Sequence, residues 1–327
     1  MTDLNQQKIN NDQSFRSSFI KLLGKFKAGI GLLVLVIVLS FASEYFLTVN
    51  NLLNVLRQVS IIGIVAYGMT FVILSGGIDL SVGSVLALSS AITAGVMSST
   101  HSIALAILAG LVTGALLGTF TGVLVSKAKM PAFIVTLAMM SIGRGLTLIY
   151  TGGRPISEGF TDLFNYIGGG YVGPIPFPVI LLLVLLGIGY LVLNNTPYGR
   201  YVYALGGNED ATRLSGINTD KIKMTVYTIS GIMAAVSGIV LASRLGSAQP
   251  QAGLGYELDA IATVVLGGTS LAGGSGGIVG TLMGALIIGV LNNGMTLLGV
   301  SSFFQQVVKG LVILLAVYID RRTRETI

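Results

Sequence analysis

The sequence predicts an all-α polytopic membrane protein of about ten transmembrane helices, and three observations predict it. Of 327 residues, 53% are hydrophobic and only 10% are charged, where a soluble domain carries about 25% charged residues; mean hydropathy is +0.85. The apolar residues come in uncharged blocks, Ala28–Ser43, Gln58–Ile78, Leu80–Ser126, Met224–Ser243 and Ala260–Val308. A bilayer-spanning helix needs roughly 20 such residues, so the longer blocks each fold into more than one span. A transmembrane β-barrel would show short alternating segments instead. Third, the basic residues cluster in the gaps as spanning topology demands.

Residues 1–27 read as a cytoplasmic N-terminal segment. Its first 13 residues are polar, and "SFRSSFIKLLGKFK" then places Phe15, Phe19, Leu22 or Leu23, and Phe26 at helical spacing. Arg16, Lys21, Lys25 and Lys27 fall on other faces or at the edges, the pattern of an amphipathic helix on an anionic membrane surface. A single transmembrane domain follows over 28–320, with a cytoplasmic tail at 321–327. Spans are predicted at about 28–47, 51–74, 82–99, 102–126, 132–151, 177–194, 221–243, 258–271, 274–294 and 300–319.

With the N-terminus inside, the inner segments hold Lys8, Arg16, Lys21, Lys25, Lys27, Lys127, Lys129, Arg200, Arg213, Lys221, Lys223, Arg321, Arg322 and Arg324, 14 of the 19 basic residues. That is the positive-inside rule. Arg57, Arg144, Arg154 and Arg244 fall near outer ends, and Lys309 falls within the last span. Segment 258–271 is short, but it must count as a crossing for the basic C-terminus to lie inside.

Within this frame glycine has two uses. Gly110, Gly114, Gly118 and Gly122 recur every four residues, as do Gly280 and Gly284, a spacing that lets helix backbones approach closely in lipid. Elsewhere glycines break apolar runs. "VILSGGIDLSVGSVLALSSAI" (72–92) and "VVLGGTSLAGGSGGIVGTLMGALI" (264–287) both read helix, Gly/Ser-rich turn, helix, a weak parallel repeat of the kind transporters contain.

Several chemistries lack their residues. There is no cysteine, hence no disulfide, thiolate metal site or cysteine nucleophile. "GGTSLAGGSGG" (267–277) has the glycines of a phosphate loop but no lysine. The one histidine, His101, falls in an outer turn. No catalytic, metal or cofactor site is expected in this chain, and the net charge of +6 needs no nucleic acid to explain it.

The inner segment "NNTPYGRYVYALGGNEDATRLSGINTDKIK" (194–223) is informative. Asn208 suits an N-cap, with Glu209 and Asp210 in the first turn where carboxylates favour the helix dipole. Ala211, Thr212 and Arg213 complete a short helix that Ser215 and Gly216 stop. Such a helix is marginal alone in water and makes sense as something docked by a cytoplasmic partner.

"YGRYVYALGGNEDATRLSGI", "ILSGGIDLSVGS", "SAQPQAGLGYELDAIATVVLGGTSLAGG" and "GVLNNGMTLLGVSS" resemble the ribose-type sugar permeases of ABC transporters, the monosaccharide and autoinducer-2 permease family. The resemblance runs from about Phe46 to Asp320. It implies a type II-like importer permease for D-ribose, or for a related monosaccharide or autoinducer-2. Loop 195–220 would couple to a separate ATP-binding subunit, a sugar-binding protein would deliver substrate from outside, and a second copy of the chain would complete the pathway. It also implies a bacterial inner-membrane location with both termini cytoplasmic. Asp210 departs from the family pattern, where small residues are commoner. The reading from another class is a secondary transporter with Asp79 or Lys309 as its ion site.

Asp79 is the charge that most needs a reason. At an inner turn facing water it would cap the next span with help from Ser81. Alternatively, its turn and the equivalent one at 267–274 narrow the mouth of a pathway. Lys309 lies nine residues into its span and would snorkel, pair with a buried carboxylate or helix-end carbonyl, or touch sugar. A neutral polyol needs no fixed charge, so Gly76, Gly77, Gly267, Gly268, Thr269, Asn292 and Asn293 join these as pathway candidates.

Overall fold

The computed structural model describes residues 27–325, with side chains described through Tyr318. The proposed amphipathic segment 1–26 and the last two residues of the tail lie outside the described residues. In chain order the elements are α1 (Lys27–Ala42), α2 (Val49–Leu74), α3 (Val82–Thr100), α4 (Ile103–Ser126), α5 (Ala132–Thr151) and α6 (Asp162–Gly169). A hairpin follows, β1 (Tyr171–Val172) and β2 (Ile175–Pro176). The remaining helices are α7 (Phe177–Asn195), α8 (Pro197–Gly207), α9 (Glu209–Leu214), α10 (Thr219–Leu245), α11 (Tyr256–Leu266), α12 (Ile278–Leu297) and α13 (Ser302–Glu325). Seven of these, α2, α3, α4, α5, α7, α10 and α12, are long and apolar enough to cross a membrane, and α1 and α13 contribute shorter apolar stretches.

Burial sorts the helices into a core and a rim. The apolar stretch of α2 is 83% buried and that of α4 only 22%, so α2 is the central post and α4 presents its other face outward. The glycine stripe explains the inner face of α4. A Cβ on Gly114 would overlap the Gly231 carbonyl, one on Gly118 the Tyr227 carbonyl, and one on Gly122 would come within 2.8 Å of Met224. Three successive turns of α4 thus lie backbone-to-backbone along α10, as packing-driven association in lipid requires. Gly280 and Gly284 do the same for α12 against Gly267 and Thr263 at α11. Many hydroxyls within the spans bond to their own helix, as Thr70 to Ala66 O, Thr93 to Ser89 O and Thr147 to Gly143 O, so these donors are not left unpaired in the bundle.

Two of the elements begin partway through the bundle. Ser84, in the first turn of α3, packs on Gly143 near the middle of α5. Asp79, just before α3, reaches Ser230, well inside α10. The chain therefore leaves α2 at Leu74, climbs back through 75–81, and starts α3 at depth. The α11 helix has 11 residues, about 16 Å at 1.5 Å per residue, roughly half of a ~30 Å hydrocarbon core. The irregular segment 246–255 supplies the other half.

Segment 246–255 re-enters from the end of α10 until Gly253 meets Gly83, where a Cβ on either glycine would clash with the other's backbone. Non-helical backbone at such depth persists only when buried in protein with its polar groups satisfied. Here Arg144 donates to Pro250 O at 2.7 Å and Ala252 O at 2.9 Å, and Ala248 bridges Ile156. The expected continuous span 258–271 is accordingly a half-helix ending at Leu266, and the following helix starts at Ile278 rather than 274.

Candidate functional site

The short helix α9 is built as its sequence dictates. The Asn208 side chain accepts the Ala211 amide at 2.9 Å, and Gly216 ends the helix with φ +82° beside the bond from its amide to Arg213 O. Three ion pairs brace it, and a fourth, Lys129–Asp220, joins the network. Glu209 accepts from Arg213 at 2.8 Å and from Lys223 of α10 at 2.5 Å; Asp220 takes Lys129, from the α4–α5 loop, at 2.5 Å and Arg213 at 3.7 Å. An exposed pair adds less than about 1 kcal/mol, but each carboxylate here holds two cations from different segments, which fixes direction. Arg213 also donates to Thr219 Oγ1 at 3.2 Å, and Thr212 is buried. The outward face is left with Asp210, Ala211, Ser215, Gly216 and Leu214, an 89% exposed leucine beside charged groups. A cleft of about 360 Å³ between α8 and α10 opens beside it, lined by Tyr198, Tyr201, Ile217 and Lys221.

The α8 helix, absent from the sequence reading, connects this face to the bundle. Its last residues wedge between both Gly-rich turns: a Cβ on Gly206 would overlap Leu74 O and reach within 2.5 Å of Gly274 N. The turns also bond each other, Gly274 N to Leu74 O at 3.0 Å, and Tyr203 of α8 donates to Gly276 O at 2.9 Å. The two turns that the sequence pairs by similarity are thus neighbours, and two residues of chain separate their contact with Gly206 from the start of α9. Gly76 and Gly268 have φ +81° and +87°, backbone that glycine adopts without strain. A polar cavity of about 460 Å³ lies beneath, bounded by Ser75–Gly77, Lys129–Ala132, Gly206, Glu209, Lys223 and Tyr227.

Asp79 does not face water, contrary to the expectation. It is 2% exposed, its Oδ1 accepting from Ser81 N at 2.9 Å and Ser81 Oγ at 2.6 Å, its Oδ2 from Ser230 Oγ at 2.7 Å. The physical reason is that α3 starts at depth, so the residues before it are inside the bundle. Three hydroxyl and amide donors offset the loss of water. The Tyr227 ring packs its hydroxyl against Gly77, without a hydrogen-bond partner among the described residues, between Asp79 and the cavity.

The remaining candidates do not all assemble. Gly76, Gly77, Gly267, Gly268 and Thr269 lie at the two turns, with Thr269 buried and accepting from Gly277 N at 3.3 Å. Asn293 is elsewhere: it exchanges two bonds with Asn51 of α2, at 2.8 and 3.0 Å, clasping the bundle near the far end of α12. Asn292, beside it, has a buried Oδ1 without a partner among the described residues. Lys309 pairs with Asp259 of α11 at 2.8 Å, with 26% and 4% of the side chains exposed. Sequence reasoning missed Arg144, Gly206 and Asp259, whose importance lies in contacts across the chain. The run of glycines 206–207 before Asn208 was the one available signal.

Apolar helices around a buried post, a re-entrant half-span and a short charged helix joined to two Gly-rich turns define a multi-pass membrane permease. The chain belongs to the family of branched-chain amino acid transport system / permease components, whose model matches residues 51–317. It is 54% identical to the ribose import permease protein of Escherichia coli strain K12 over 299 residues, 90% of this chain and 93% of that protein. It is 52% identical to the ribose import permease protein of Bacillus subtilis strain 168 over 308 residues, 94% and 96% of the two chains. The xylose transport system permease protein of Escherichia coli strain K12 is 38% identical over 340 aligned positions, 85% of this chain and 86% of that protein. No solved structure matches the chain.

Proposed function

We propose that this chain is the membrane-spanning permease subunit of an ATP-driven ribose importer in the bacterial inner membrane. The basic end carrying α8 and α9 faces the cytoplasm, where loop 195–220 docks a separate ATP-binding subunit. The observation that carries the reading is the seating of α8 and α9: a helix held in a network of four ion pairs is joined through Gly206 to both Gly-rich turns. Displacing α9 on nucleotide binding therefore displaces the ends of α2 and α11 together. Those turns, with Asp79 and Tyr227 behind them, form the cytoplasmic gate. Close relatives named for ribose import support the sugar, and their coverage of nearly the whole chain supports the same division of labour. A sugar-binding protein delivers ribose at the opposite face, and a second copy of the chain completes the pathway.

The test is uptake of labelled ribose into proteoliposomes holding this permease with a cognate ATP-binding subunit, ATP inside and sugar-binding protein outside. ATP-dependent accumulation that disappears with Glu209→Ala and Arg213→Ala together is the expected result. Uptake that ignores ATP and follows a proton gradient identifies a secondary transporter instead. An assembled, ATP-hydrolysing complex that excludes ribose but admits xylose or autoinducer-2 moves the assignment to that substrate.

A further inference from the structure

The most buried helix of the bundle has a polar face that no structural need explains. Asn54, Arg57 and Gln58 stand at i, i+3 and i+4 of α2, on one side of the helix, in the half remote from α9. A guanidinium carries five N–H donors. The Arg57 side chain makes no hydrogen bond or ion pair with any described residue, and its Nε is buried without a partner among them. It does lie 4.5 Å from the centre of the Tyr171 ring. Gln58, next to it, likewise has no hydrogen bond among the described residues.

A second guanidinium closes the group. Arg244, at the end of α10, donates to Asn54 Oδ1 at 2.9 Å, and Arg57 is near enough to act on its charge. Among the described residues no carboxylate lies within 4 Å of either arginine. Two neighbouring like charges repel, and the buried Arg57 Nε has no partner among the described residues to offset its burial, whereas Lys309, the lysine within the last span, pairs with Asp259. Unused guanidinium donors and the free Gln58 amide beside an aromatic ring suit a ligand that is rich in hydroxyls and carries no charge.

We infer that Arg57, Gln58, Asn54 and Arg244, with the Tyr171 ring over Arg57, form a polyol-binding station that receives the sugar at the end of the bundle remote from the docking helix. This rests on the importer reading. The station hydrogen-bonds several hydroxyls at once and releases them readily, because no fixed anion or cation pairs with the ligand. Ribose and related aldopentoses are the class it takes.

The experiment uses the full complex in proteoliposomes and compares wild type with Arg57→Met, Gln58→Leu and Arg57→Lys. Three quantities are read from each preparation: ribose uptake, ATP hydrolysis stimulated by the sugar-binding protein, and the binding-protein concentration giving half of that stimulation. Uptake is expected to fall at least ten-fold in Arg57→Met and Gln58→Leu, while stimulated hydrolysis and the half-saturating concentration stay within two-fold. Arg57→Lys should recover part of the uptake. A ten-fold rise in the half-saturating concentration would mean that the arginines dock an acidic partner protein, and the station would be wrong. Unchanged uptake, or uptake lost in step with hydrolysis, would also overturn it, the second pointing to a structural role. A wild type that hydrolyses ATP but never accumulates sugar removes the importer reading and the station with it.

Discussion

Removing Lys309 should destabilise the protein more than removing its partner. At 2.8 Å the gross attraction of the Lys309–Asp259 pair is about 6 kcal/mol with an effective dielectric constant near 20, and desolvation cancels most of it. The cost appears when one partner goes. Asp259 is 4% exposed and cannot reach water, whereas Lys309 is 26% exposed and sits on a flexible stem. Lys309→Met strands a buried carboxylate and should cost about 3 kcal/mol, the lower edge of the range for broken buried pairs. Asp259→Asn leaves an amide to accept from a lysine that can relax outward, and roughly 1–2 kcal/mol is expected.

The pair also matters for assembly, because α13 packs chiefly on α11. The assay is a double-mutant cycle on thermal unfolding of the detergent-solubilised protein, with Asp259→Leu/Lys309→Met as the double variant. That variant should recover to within about 1 kcal/mol of wild type, since an apolar pair of similar volume replaces the ions at little net cost. Additive losses, or a Lys309→Met protein as stable as wild type, would refute the reasoning.

Gly206→Ala forces a methyl into Leu74 O and Gly274 N; overpacking against backbone costs typically 1–3 kcal/mol, and we expect inserted protein with ribose uptake down at least ten-fold. Gly114→Leu separates α4 from α10 along their closest contact, so the folded fraction after detergent extraction should drop severely, while Gly187→Leu, at a position with open space around it, should leave it unchanged. Arg144→Met strands the Pro250 and Ala252 carbonyls at ~1–3 kcal/mol for a buried unsatisfied acceptor. Segment 246–255 should then become accessible to protease in intact proteoliposomes, where the wild-type segment resists.

The long spans were legible because lipid leaves a chain few choices: each backbone polar group must bond within its own helix, so 20 apolar residues make a helix wherever they stand. The helix over 132–151 coincides with α5, and those predicted at 51–74 and 82–99 end within two residues of α2 and α3. Local capping chemistry was equally readable at Asn208 and Gly216, whose partners are three residues away. Hydropathy failed where apolar sequence is not helix. The run 258–271 continues past Leu266, but Gly267 stops the helix so that its backbone can meet Gly280, a contact no window of residues contains.

Composition and charge order alone determined that this is a helical membrane protein with a short charged helix in its longest basic loop, since those features follow from solvent and from neighbours a few residues apart. Depth and partnership were decided by the tertiary structure. It moved Asp79 from a wet turn to a buried triad with Ser81 and Ser230, joined Lys309 to Asp259 across 50 residues, and set Gly206 between two turns that flank it by well over 60 residues on either side. Hydrogen bonds and steric contact are short-ranged, so which distant residues share them is settled only once the helices have packed.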